Sequence, residues 1–337
     1  MEPNLSATGQ PAVTITLVAY NGERWLRRCL DSVLEQQVRE WRLLALDNAS
    51  ADRTVELLRE YAAGDERIAA RHSTVNLGFA AGQNRLLAEA RSDYVLLLNQ
   101  DVELDRGFLR AALSVFENRP MVGAVQPRLR RLSAPGERTH VLDSTGLEMH
   151  RDRRVVSRRH GQPERAADLV AGPVWGADGP APVFRRAALL AARLPRSTGG
   201  WEVLDEDFFM YKEDVDLAWR LRRLGWQAWY EPAALAWHAR TATGPRTTSV
   251  VEVARASLRA PEALRDMSWR NQRLMQTKNE RLIDFARDLH SITTREALAL
   301  GFMITTDLGR LSALPGLLRL LPGALRKRRH MASRRRA

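Results

Sequence analysis

Three carboxylates stand close together in the second half of this 337-residue chain. Glu213, Asp214 and Asp216 follow the aromatic segment 208–211 and open a predicted helix that Gly225 ends at its C′ position. A single acid at a helix N-terminus is explained by capping and by the helix dipole. Three acids beside aromatic side chains, which lower the local dielectric constant, favour a general base. Asp214, with its neighbour Glu213, is the candidate.

Polar residues also cluster where four predicted strands end. Each cluster alone could be an ordinary turn, because Asn, Asp and Gly are common turn residues. Ligands of a mainly parallel sheet, however, bind beyond the carboxyl ends of its strands. The joint placement therefore predicts a binding site at one edge of a sheet. The clusters are Tyr20-Asn21, Asp47-Asn48, Asn76-Leu77-Gly78 and Asn99-Gln100-Asp101.

The spacing of apolar residues locates the elements that position these clusters. Strands are predicted at 13–18, at 42–46, around residue 68, at 94–98 and at 122–125. Helices are predicted between them, with Asp52 as a cap and Asp105 as a start residue. This alternation indicates an α/β fold with right-handed crossovers. Further along, we expect a helix at 217–224 and two short extended pieces at 227–230 and 235–237.

Composition narrows the class of protein. With 45% hydrophobic and 27% charged residues, the chain can bury a large core, which excludes intrinsic disorder. The single Cys29 excludes an intrachain disulfide and a multi-cysteine zinc site, and it fits a reducing compartment. Residues 1–11 lack the pattern of a secretory signal, and no apolar run reaches about 18 residues. We therefore expect a cytoplasmic protein without a spanning helix.

The formal net charge of +12 is concentrated in two segments. Residues 128–165 contribute +5 through ten arginines and five acids, and residues 319–337 contribute +8 without any acid. The rest of the chain is close to neutral, so a nucleic-acid-binding function is not expected. We predict that segment 128–165 is a solvated excursion from the domain, and a hairpin is one structure that it could form. A role facing a diphosphate or a lipid phosphate is the alternative.

The C-terminal region combines apolar segments with a basic cluster. Residues 297–304 and 311–325 are rich in apolar side chains, and four consecutive basic residues follow at 326–329. This combination predicts peripheral association with an anionic membrane surface. A helical cap on the preceding domain and a frayed tail are the alternatives. Pro-Gly pairs at 315–316 and 322–323 argue against one continuous helix.

Six motifs in this chain resemble those of the inverting glycosyltransferases of family 2, especially the bacterial rhamnosyltransferase-like branch. They occur in the order of that family and cover roughly residues 13–240. Each is weak alone, but six in register make a chance agreement improbable. The motifs are Val18-Ala-Tyr-Asn-Gly22, Leu46-Asp-Asn-Ala-Ser50, Asn76-Leu-Gly-Phe-Ala-Ala-Gly-Gln-Asn84, Tyr94-Val-Leu-Leu-Leu-Asn-Gln-Asp101, Phe208-Phe-Met-Tyr-Lys-Glu-Asp-Val-Asp-Leu217 and Ala236-Trp-His238.

The resemblance implies a GT-A fold, a nucleotide-sugar donor, a glycan or lipid-linked acceptor, and Mg²⁺ or Mn²⁺ as cofactor. Rhamnose is the sugar that the branch suggests. Asp214 would be the catalytic base, with Glu213 beside it, and Asp101 and His238 would bind the metal. The residues that the family pattern places around the donor are Tyr20, Asn21, Asp47, Asn48, Asn76, Gly78, Asn84 and Asn99.

Two departures from the family pattern bear on activity. The DxD metal motif is Asn99-Gln100-Asp101 here, so one carboxylate remains. This leaves a catalytically weak or inactive relative, which would bind nucleotide sugars or glycans, as the alternative function. The second departure is segment 175–182, where Asp178 and prolines replace a smoother apolar run. The geometry of the acceptor site depends on that segment.

These observations predict a division of the chain into four parts. A flexible N-terminus at 1–12 precedes the GT-A domain at 13–240. Within that domain, 13–127 forms the nucleotide-binding half and 128–240 the acceptor and catalytic half. A helical region follows at 241–325, and a basic tail at 326–337.

Overall fold

In a computed structural model, which describes residues 11–240 and 261–334, ten strands form one mixed sheet and two pairs of short strands lie beside it. The strands are β1 (Val13–Ala19), β2 (Trp41–Asn48), β3 (Ile68–Ser73), β4 (Tyr94–Asn99), β5 (Val102–Leu104), β6 (Val122–Leu132), β7 (Arg138–Ser144), β8 (Leu147–Met149), β9 (Val155–Ser157), β10 (Gly172–Val174), β11 (Val183–Arg185), β12 (Leu194–Pro195), β13 (Trp201–Glu202) and β14 (Gln227–His238).

Nine α-helices accompany these strands in the same described ranges. They are α1 (Glu23–Leu34), α2 (Thr54–Gly64), α3 (Gly78–Glu89), α4 (Phe108–Glu117), α5 (Arg186–Ala191), α6 (Glu213–Arg223), α7 (Glu262–Asn279), α8 (Leu282–Thr306) and α9 (Ala313–Ser333). Short 3-10 helices lie at Ala166–Leu169, Glu206–Phe208 and Leu308–Ser312. The strands predicted in the first 125 residues and the helix ended by Gly225 are confirmed.

The parallel part of the sheet brings the polar clusters to one edge. β1 pairs in parallel with both β2 and β4, and β2 pairs in parallel with β3. Ala19 is opposite Asp47, and Val18 is opposite Asn99, so the three strands end at the same level. Eight strands follow the order β10-β14-β6-β11-β4-β1-β2-β3, in which β11 runs antiparallel between β4 and β6. The other two strands of the sheet, β5 and β7, pair with β14 and β6. This is the mainly parallel α/β fold that the sequence predicts.

Apolar side chains on both faces of the sheet hold the helices in place. Leu26 of α1, Leu58 of α2 and Phe108 of α4 pack on one face. Ala80 of α3 and Leu221 of α6 belong to a second buried cluster on the other face. Burial of each such large side chain contributes about 1.5–3 kcal/mol, so the sheet edge is carried by a rigid scaffold.

The arginine-rich segment differs from its prediction. β6 and β7 form the hairpin, but its arginines are not a solvated face. Arg128 and Arg130 both pair with Glu164, and their side chains are 13% and 14% exposed. Arg153 is buried and pairs with acids of the C-terminal helices. The prediction was wrong because the number of arginines in a segment does not show which distant acids they pair with. The two extended pieces at 227–237 are also a single strand, β14, with an irregularity between Glu231 and Leu235.

The C-terminal helices correct a second expectation. α9 runs through Pro322-Gly323 to Ser333, so the predicted break is absent and residues 326–333 are helical. Pro315 lies in the first turn, where its missing N–H costs nothing. No helix in the two described ranges is alone long and apolar enough to cross a membrane. The stretches Leu282–Thr306 and Leu308–Ser333 pass that test only together, with a bend of 111° between them. Residues 1–10 of the predicted N-terminus, 241–260 of the predicted helical region and 335–337 of the predicted basic tail lie outside the described residues.

Candidate active site

The loop after β1 is clamped to the loop after β4. Gln100 Oε1 accepts a hydrogen bond from the Tyr20 backbone N–H at 2.8 Å, and Gln100 Nε2 donates to the Tyr20 carbonyl oxygen at 3.0 Å. A Cβ atom at Gly22 would lie 2.4 Å from Gln100 Oε1, so only glycine permits this approach. The clamp leaves the Tyr20 side chain half-exposed at the sheet edge, where a planar base can stack on its ring.

Asn21 joins the same loop to the end of β2. It has a left-handed φ of 47°. Its backbone N–H donates to Ser50 Oγ at 3.0 Å, and its side-chain oxygen accepts from the Ala51 N–H at 2.8 Å. Asparagine tolerates this conformation better than most residues. Its contacts therefore order the two loops that flank the edge.

Asp47 is fully buried at the end of β2. Asp47 Oδ2 lies 2.8 Å from His72 Nδ1, and Asp47 Oδ1 accepts a 3.3 Å hydrogen bond from the Ser50 N–H. The His72 side chain is 46% exposed, so it lies between the buried carboxylate and solvent. A ligand that donates a hydrogen bond to Asp47 must share this carboxylate with His72.

Asn48 and Asn76 shape the turn before α3. Asn48 Oδ1 accepts from the Leu77 N–H at 2.9 Å, and Asn48 Nδ2 donates to Asn76 Oδ1 at 3.0 Å. Gly78 has a φ of +79°, and a Cβ there would lie 2.5 Å from the Phe209 ring. The turn therefore packs directly against the segment that leads to Asp214.

Asn84 is buried, and the loop before α6 uses its side chain fully. Asn84 Oδ1 accepts from the N–H groups of Val203 and Leu204, at 3.0 and 2.9 Å. Asn84 Nδ2 donates to the Leu204 carbonyl oxygen at 2.7 Å and to Glu206 Oε1 at 2.9 Å. These contacts position the loop that precedes α6.

Asp101 and His238 meet at the end of β14. Asp101 Oδ1 lies 3.4 Å from His238 Nε2, and the Ala239 N–H donates to the Asp101 carbonyl oxygen at 3.0 Å. His238 Nδ1 lies 2.8 Å from Asp143 Oδ2, so one ring nitrogen is fixed by Asp143 and the other faces Asp101. Burial alone would lower the pKa of His238, but Asp101 and Asp143 outweigh it and raise that pKa to about 10.

Arg240 and two histidines surround Asp143. Arg240 lies 3.1 Å from Asp143 Oδ1, and His160 Nδ1 lies 3.4 Å from the same oxygen. Burial alone would raise the pKa of Asp143, but hydrogen bonds from His160 and His238 hold that pKa well below its usual range. A permanently ionised carboxylate therefore orients the His238 ring.

Asp101 and His238 are suited to share a divalent cation. The carboxylates that raise the His238 pKa also attract a cation, which would take the place of the proton on Nε2, and an imidazole held by a carboxylate at its other nitrogen is a common metal ligand. No group of three or more His, Cys, Asp or Glu side chains in the described ranges could hold a metal ion. A cation here would therefore complete its coordination with diphosphate oxygens and water. One nitrogen ligand suits Mn²⁺ better than Mg²⁺.

Asp214 has the electrostatic environment of a general base. Burial, followed by the charge of Asp178, raises the pKa of Asp214 to about 6. Burial and the Asp214 charge raise the pKa of Glu213 to about 8. Gly179 lies against Asp214, since a Cβ there would be 3.5 Å from Asp214 Oδ2. A carboxyl with a pKa near 6 is ionised at neutral pH and remains basic enough to accept a proton.

The end of β4 is connected to the segment beside Asp214. The Asn99 backbone N–H donates to the Pro180 carbonyl oxygen at 2.9 Å, which joins the end of β4 to the segment beside Asp214. Asn99 Oδ1 is buried and has no hydrogen-bond partner within the described ranges. A buried carbonyl oxygen without a partner is costly, so this atom is available to a donor group of a ligand.

The segment before Asp214 is strained and is held from the C-terminal helices. Phe209, Tyr211 and Lys212 have φ values of 65°, 68° and 74°, a region that costs non-glycine residues about 1–3 kcal/mol each. Asn271 Nδ2 of α7 lies 2.9 Å from the carbonyl oxygens of Phe208 and Met210, and 3.0 Å from that of Tyr211. This side chain stabilises the turn that presents Asp214.

Two buried lysines also hold the loop before α6, through ion pairs. Lys278 is fully buried, pairs with Asp205, and lies 2.8 Å from Asp216 Oδ1. Lys327 of α9 lies 2.7 Å from Glu202 Oε1 and 2.8 Å from Asp207 Oδ2. Burial, with a further contribution from Asp205, raises the pKa of Glu202 to about 7 although Lys327 opposes the shift. The C-terminal helices are thus bound to the loop that carries the base.

Sequence reasoning missed residues whose signals are weak or distant. His72, Asp143 and Asn271 stand outside the recognised motifs, and their partners are 25 to 95 residues away. Gln100 lies inside the Asn99-Gln100-Asp101 motif, but only its neighbours Asn99 and Asp101 are predicted as site residues. The rarity of lysine could have drawn attention to Lys278 and Lys327, because the chain has only three lysines.

Two curated relatives are similar to about two thirds of this chain. Poly-beta-1,6-N-acetyl-D-glucosamine synthase of Staphylococcus aureus is 24% identical over 238 residues, which are 70% of this chain and 52% of that protein. The Staphylococcus epidermidis synthase is 25% identical over 227 residues, 67% of this chain and 49% of that protein. The chain spans about half the length of these curated relatives.

The fold has a counterpart among solved structures. The crystal structure of GalNAc-T7 with UDP, GalNAc and Mn²⁺ matches with a TM-score of 0.56 at 11% identity, covering 89% of this chain and 58% of that one. The family model described as glycosyl transferase family 2 matches residues 14–189, just over half of the chain. The chain therefore belongs to glycosyl transferase family 2.

Proposed function

We propose that this protein is an inverting glycosyltransferase that moves a sugar from a nucleoside-diphosphate donor to a hydroxyl group of a glycan or lipid-linked acceptor. The observation that carries the proposal is the environment of Asp214. The pKa of this partly buried carboxyl is raised to about 6, and the Gly179-Pro180 segment joins it to the strand end that bears Asn99 and Asp101. A base and an anion-stabilising group thus border one site.

Asp214 acts on the acceptor hydroxyl. As the acceptor oxygen forms its bond to the anomeric carbon, the bond from that carbon to the diphosphate oxygen breaks. The hydroxyl proton passes to the Asp214 carboxylate, and the bonding electrons leave with the nucleoside diphosphate. Attack from the face opposite the leaving group inverts the anomeric carbon. A positioned base of this kind contributes about 10²–10⁴ in rate.

The charge of the leaving diphosphate requires compensation at the opposite side of the site. A divalent cation bound by Asp101 and His238 would neutralise that charge. Asp143 holds the His238 ring for this task at 2.8 Å. Mn²⁺ is the first cation to test, because imidazole is a good ligand for it and because it is present in the GalNAc-T7 complex.

The donor nucleotide is proposed to lie on the edge formed by β1, β2 and β4. Tyr20 offers a half-exposed ring for stacking, and Asp47 offers a buried carboxylate to the imide N–H of a pyrimidine base. The curated relatives are named for poly-N-acetylglucosamine synthesis and give no support to rhamnose. The uridine diphosphate sugar of N-acetylglucosamine therefore stands first among candidate donors, with deoxythymidine-diphosphate-rhamnose and guanosine-diphosphate sugars beside it.

A thermal-shift screen of these donors, with Mn²⁺, Mg²⁺ or chelator, tests the proposal directly. A true donor should raise the unfolding temperature of the protein with Mn²⁺ and less with chelator, since binding to the folded state stabilises it. The same donor should then release its nucleoside diphosphate in a hydrolysis or transfer assay. If no nucleotide sugar changes the unfolding temperature, the proposed donor site is wrong.

A binding protein without catalysis is the second candidate, and Asn99 favours it. An amide replaces the carboxylate at this position, so the metal has one fewer anionic ligand. In that case a donor would shift the unfolding temperature, but neither hydrolysis nor transfer would occur with any metal. Measurable turnover excludes this candidate.

A further inference from the structure

We infer that α8 and α9 form a docking surface for an anionic lipid bilayer, and that the chain lies on the membrane surface through them. The inference is independent of the proposed transfer reaction. It starts from the distribution of exposed apolar residues. Of the eighteen large apolar side chains that are exposed in the described ranges, twelve lie between residues 282 and 325.

α8 is oriented with its apolar side outward. Leu282, Phe285, Leu289, Leu300 and Ile304 are exposed, and their spacing of three, four, eleven and four residues places them on one side of the helix. We call them the outer face of α8. A helix of an ordinary water-soluble domain turns such a stripe toward the core.

The adjoining side of α8 makes the contacts with the domain, and many of them are polar. Asp288 is buried and lies 2.8 Å from Arg153 Nη1. Glu296 Oε2 lies 2.9 Å from Arg273 Nη2. Ile292 and Met303 are the buried apolar residues of this helix. Because these contacts fix the rotation of α8, its outer face cannot turn inward without breaking them.

α9 adds positive charge to a second exposed stripe. Leu314, Leu318 and Leu325 are exposed and share one side of the helix. Arg319 and Arg326, seven residues apart, are exposed and border that stripe. Lys327 on the other side is buried in its ion pairs, which fixes the rotation of α9 as well.

The charge of this region selects the partner. No acid follows Asp307 in the sequence, whereas nine basic residues do. Leucines flanked by arginines match the interface of a bilayer that contains anionic lipids. There the leucines can contact the acyl chains, and the arginines can contact the negatively charged headgroups. A second copy of the chain docked on this stripe would bring Arg319, Arg326 and the exposed Arg329 against the same arginines, so charge complementarity favours lipid.

Sedimentation of the full chain with vesicles tests the inference. We expect binding to vesicles of equal parts phosphatidylglycerol and phosphatidylcholine, and much weaker binding to phosphatidylcholine alone. Replacing Leu282, Phe285, Leu289 and Leu300 by Ser should reduce the partition coefficient at least about tenfold. The matched control replaces four exposed apolar residues elsewhere by Ser: Val75, Met121, Leu169 and Val170. The control should bind as the parent does.

Charge variants distinguish the contribution of the lipid headgroups to binding from that of the apolar side chains. Each of Arg319→Gln and Arg326→Gln should weaken binding to the anionic vesicles about fivefold, and added salt should do the same. Circular dichroism and thermal unfolding of every variant establish that the fold is intact.

Three results would overturn the inference. The first is a parent protein that stays in the supernatant with the anionic vesicles. The second is equal loss of binding in the outer-face variant and in its control. The third is a dimer in solution that the outer-face variant converts to a monomer, which would assign the surface to a second copy. Donor-induced thermal shifts in solution are unaffected by any of these outcomes, so failure here leaves the proposed function standing.

Discussion

His238 Nδ1 lies 2.8 Å from Asp143 Oδ2, and this contact leaves His238 Nε2 directed at Asp101, 3.4 Å away. Asp143 lies 95 residues before His238 in the chain and is ionised in its buried position. The contact fixes the direction of the imidazole ring. The metal-binding role proposed for His238 therefore depends on a residue outside every recognised motif.

Substitution Asp143→Ala should weaken Mn²⁺ binding about 10- to 100-fold, because the His238 ring loses its fixed orientation. Isothermal titration of the protein with Mn²⁺ measures this directly. The matched control Asp152→Ala removes an acid of the same region that pairs with Arg154 and does not contact His238. Equal Mn²⁺ affinity in the Asp143 variant and the parent would contradict the proposed role.

Substitution Lys327→Met should lower the free energy of unfolding by about 3–5 kcal/mol, since it leaves buried Glu202 without a counter-ion and removes one of the two lysines that pair with buried Asp205. Urea unfolding followed by circular dichroism measures the change. Arg329→Met on the exposed side of the same helix is the control and should change stability by no more than about 0.5 kcal/mol. A loss below about 1 kcal/mol in the Lys327 variant would show that α9 is not fastened by these ion pairs.

The transfer rate should depend on pH through Asp214. Burial and Asp178 raise the pKa of this base to about 6, and only its ionised form accepts a proton. The value of kcat/KM should therefore rise with pH through about 6 and level off above 7. A profile measured between pH 4.5 and 8.5 checks the midpoint. A rate that falls as pH rises through 6 would require an acid in place of the base.

Substitution Asn271→Ala should lower kcat at least about tenfold while leaving donor affinity nearly unchanged. The reason is that Asn271 holds the carbonyl groups of Phe208, Met210 and Tyr211, whose segment presents Asp214, and makes no contact with the nucleotide edge. Steady-state kinetics and donor titration separate the two effects. Partial recovery in Asn271→Gln would support positioning, and an unchanged kcat in the alanine variant would refute it.

The central sheet could be predicted because its signals are local. The strand at 13–18, the apolar run at 94–98 and the stop at Gly225 each depend on a few neighbouring residues, and the structure confirms all three. The meeting of the polar clusters at one edge could also be foreseen, because parallel strands end at the same side of a sheet.

Contacts between distant segments could not be foreseen. Segment 128–165 was expected to be solvated because its charge was counted by sequence position, whereas Arg153 finds Glu280 and Asp288 more than 120 residues away. A break was expected at Pro322 because proline removes one helix hydrogen bond, but packing of α9 outweighs that local cost. Asn84, expected beside the donor, also orders the loop at 203–206, which its sequence position does not indicate.

The central claim is that Asp214 is the base of a glycosyl transfer, and substitution Asp214→Asn tests it most directly. Asparagine keeps the shape of the side chain and removes the proton acceptor. Above pH 6 the variant should also be about 1–3 kcal/mol more stable than the parent, because the raised pKa of Asp214 shows that its charge is unfavourable there.

The decisive measurement compares product formation and donor binding in the parent and in Asp214→Asn, with the donor and cation found in the thermal-shift screen. We predict that the variant binds the donor as the parent does and transfers sugar at least about 10²-fold more slowly. A folded variant that turns over at the parent rate would contradict it.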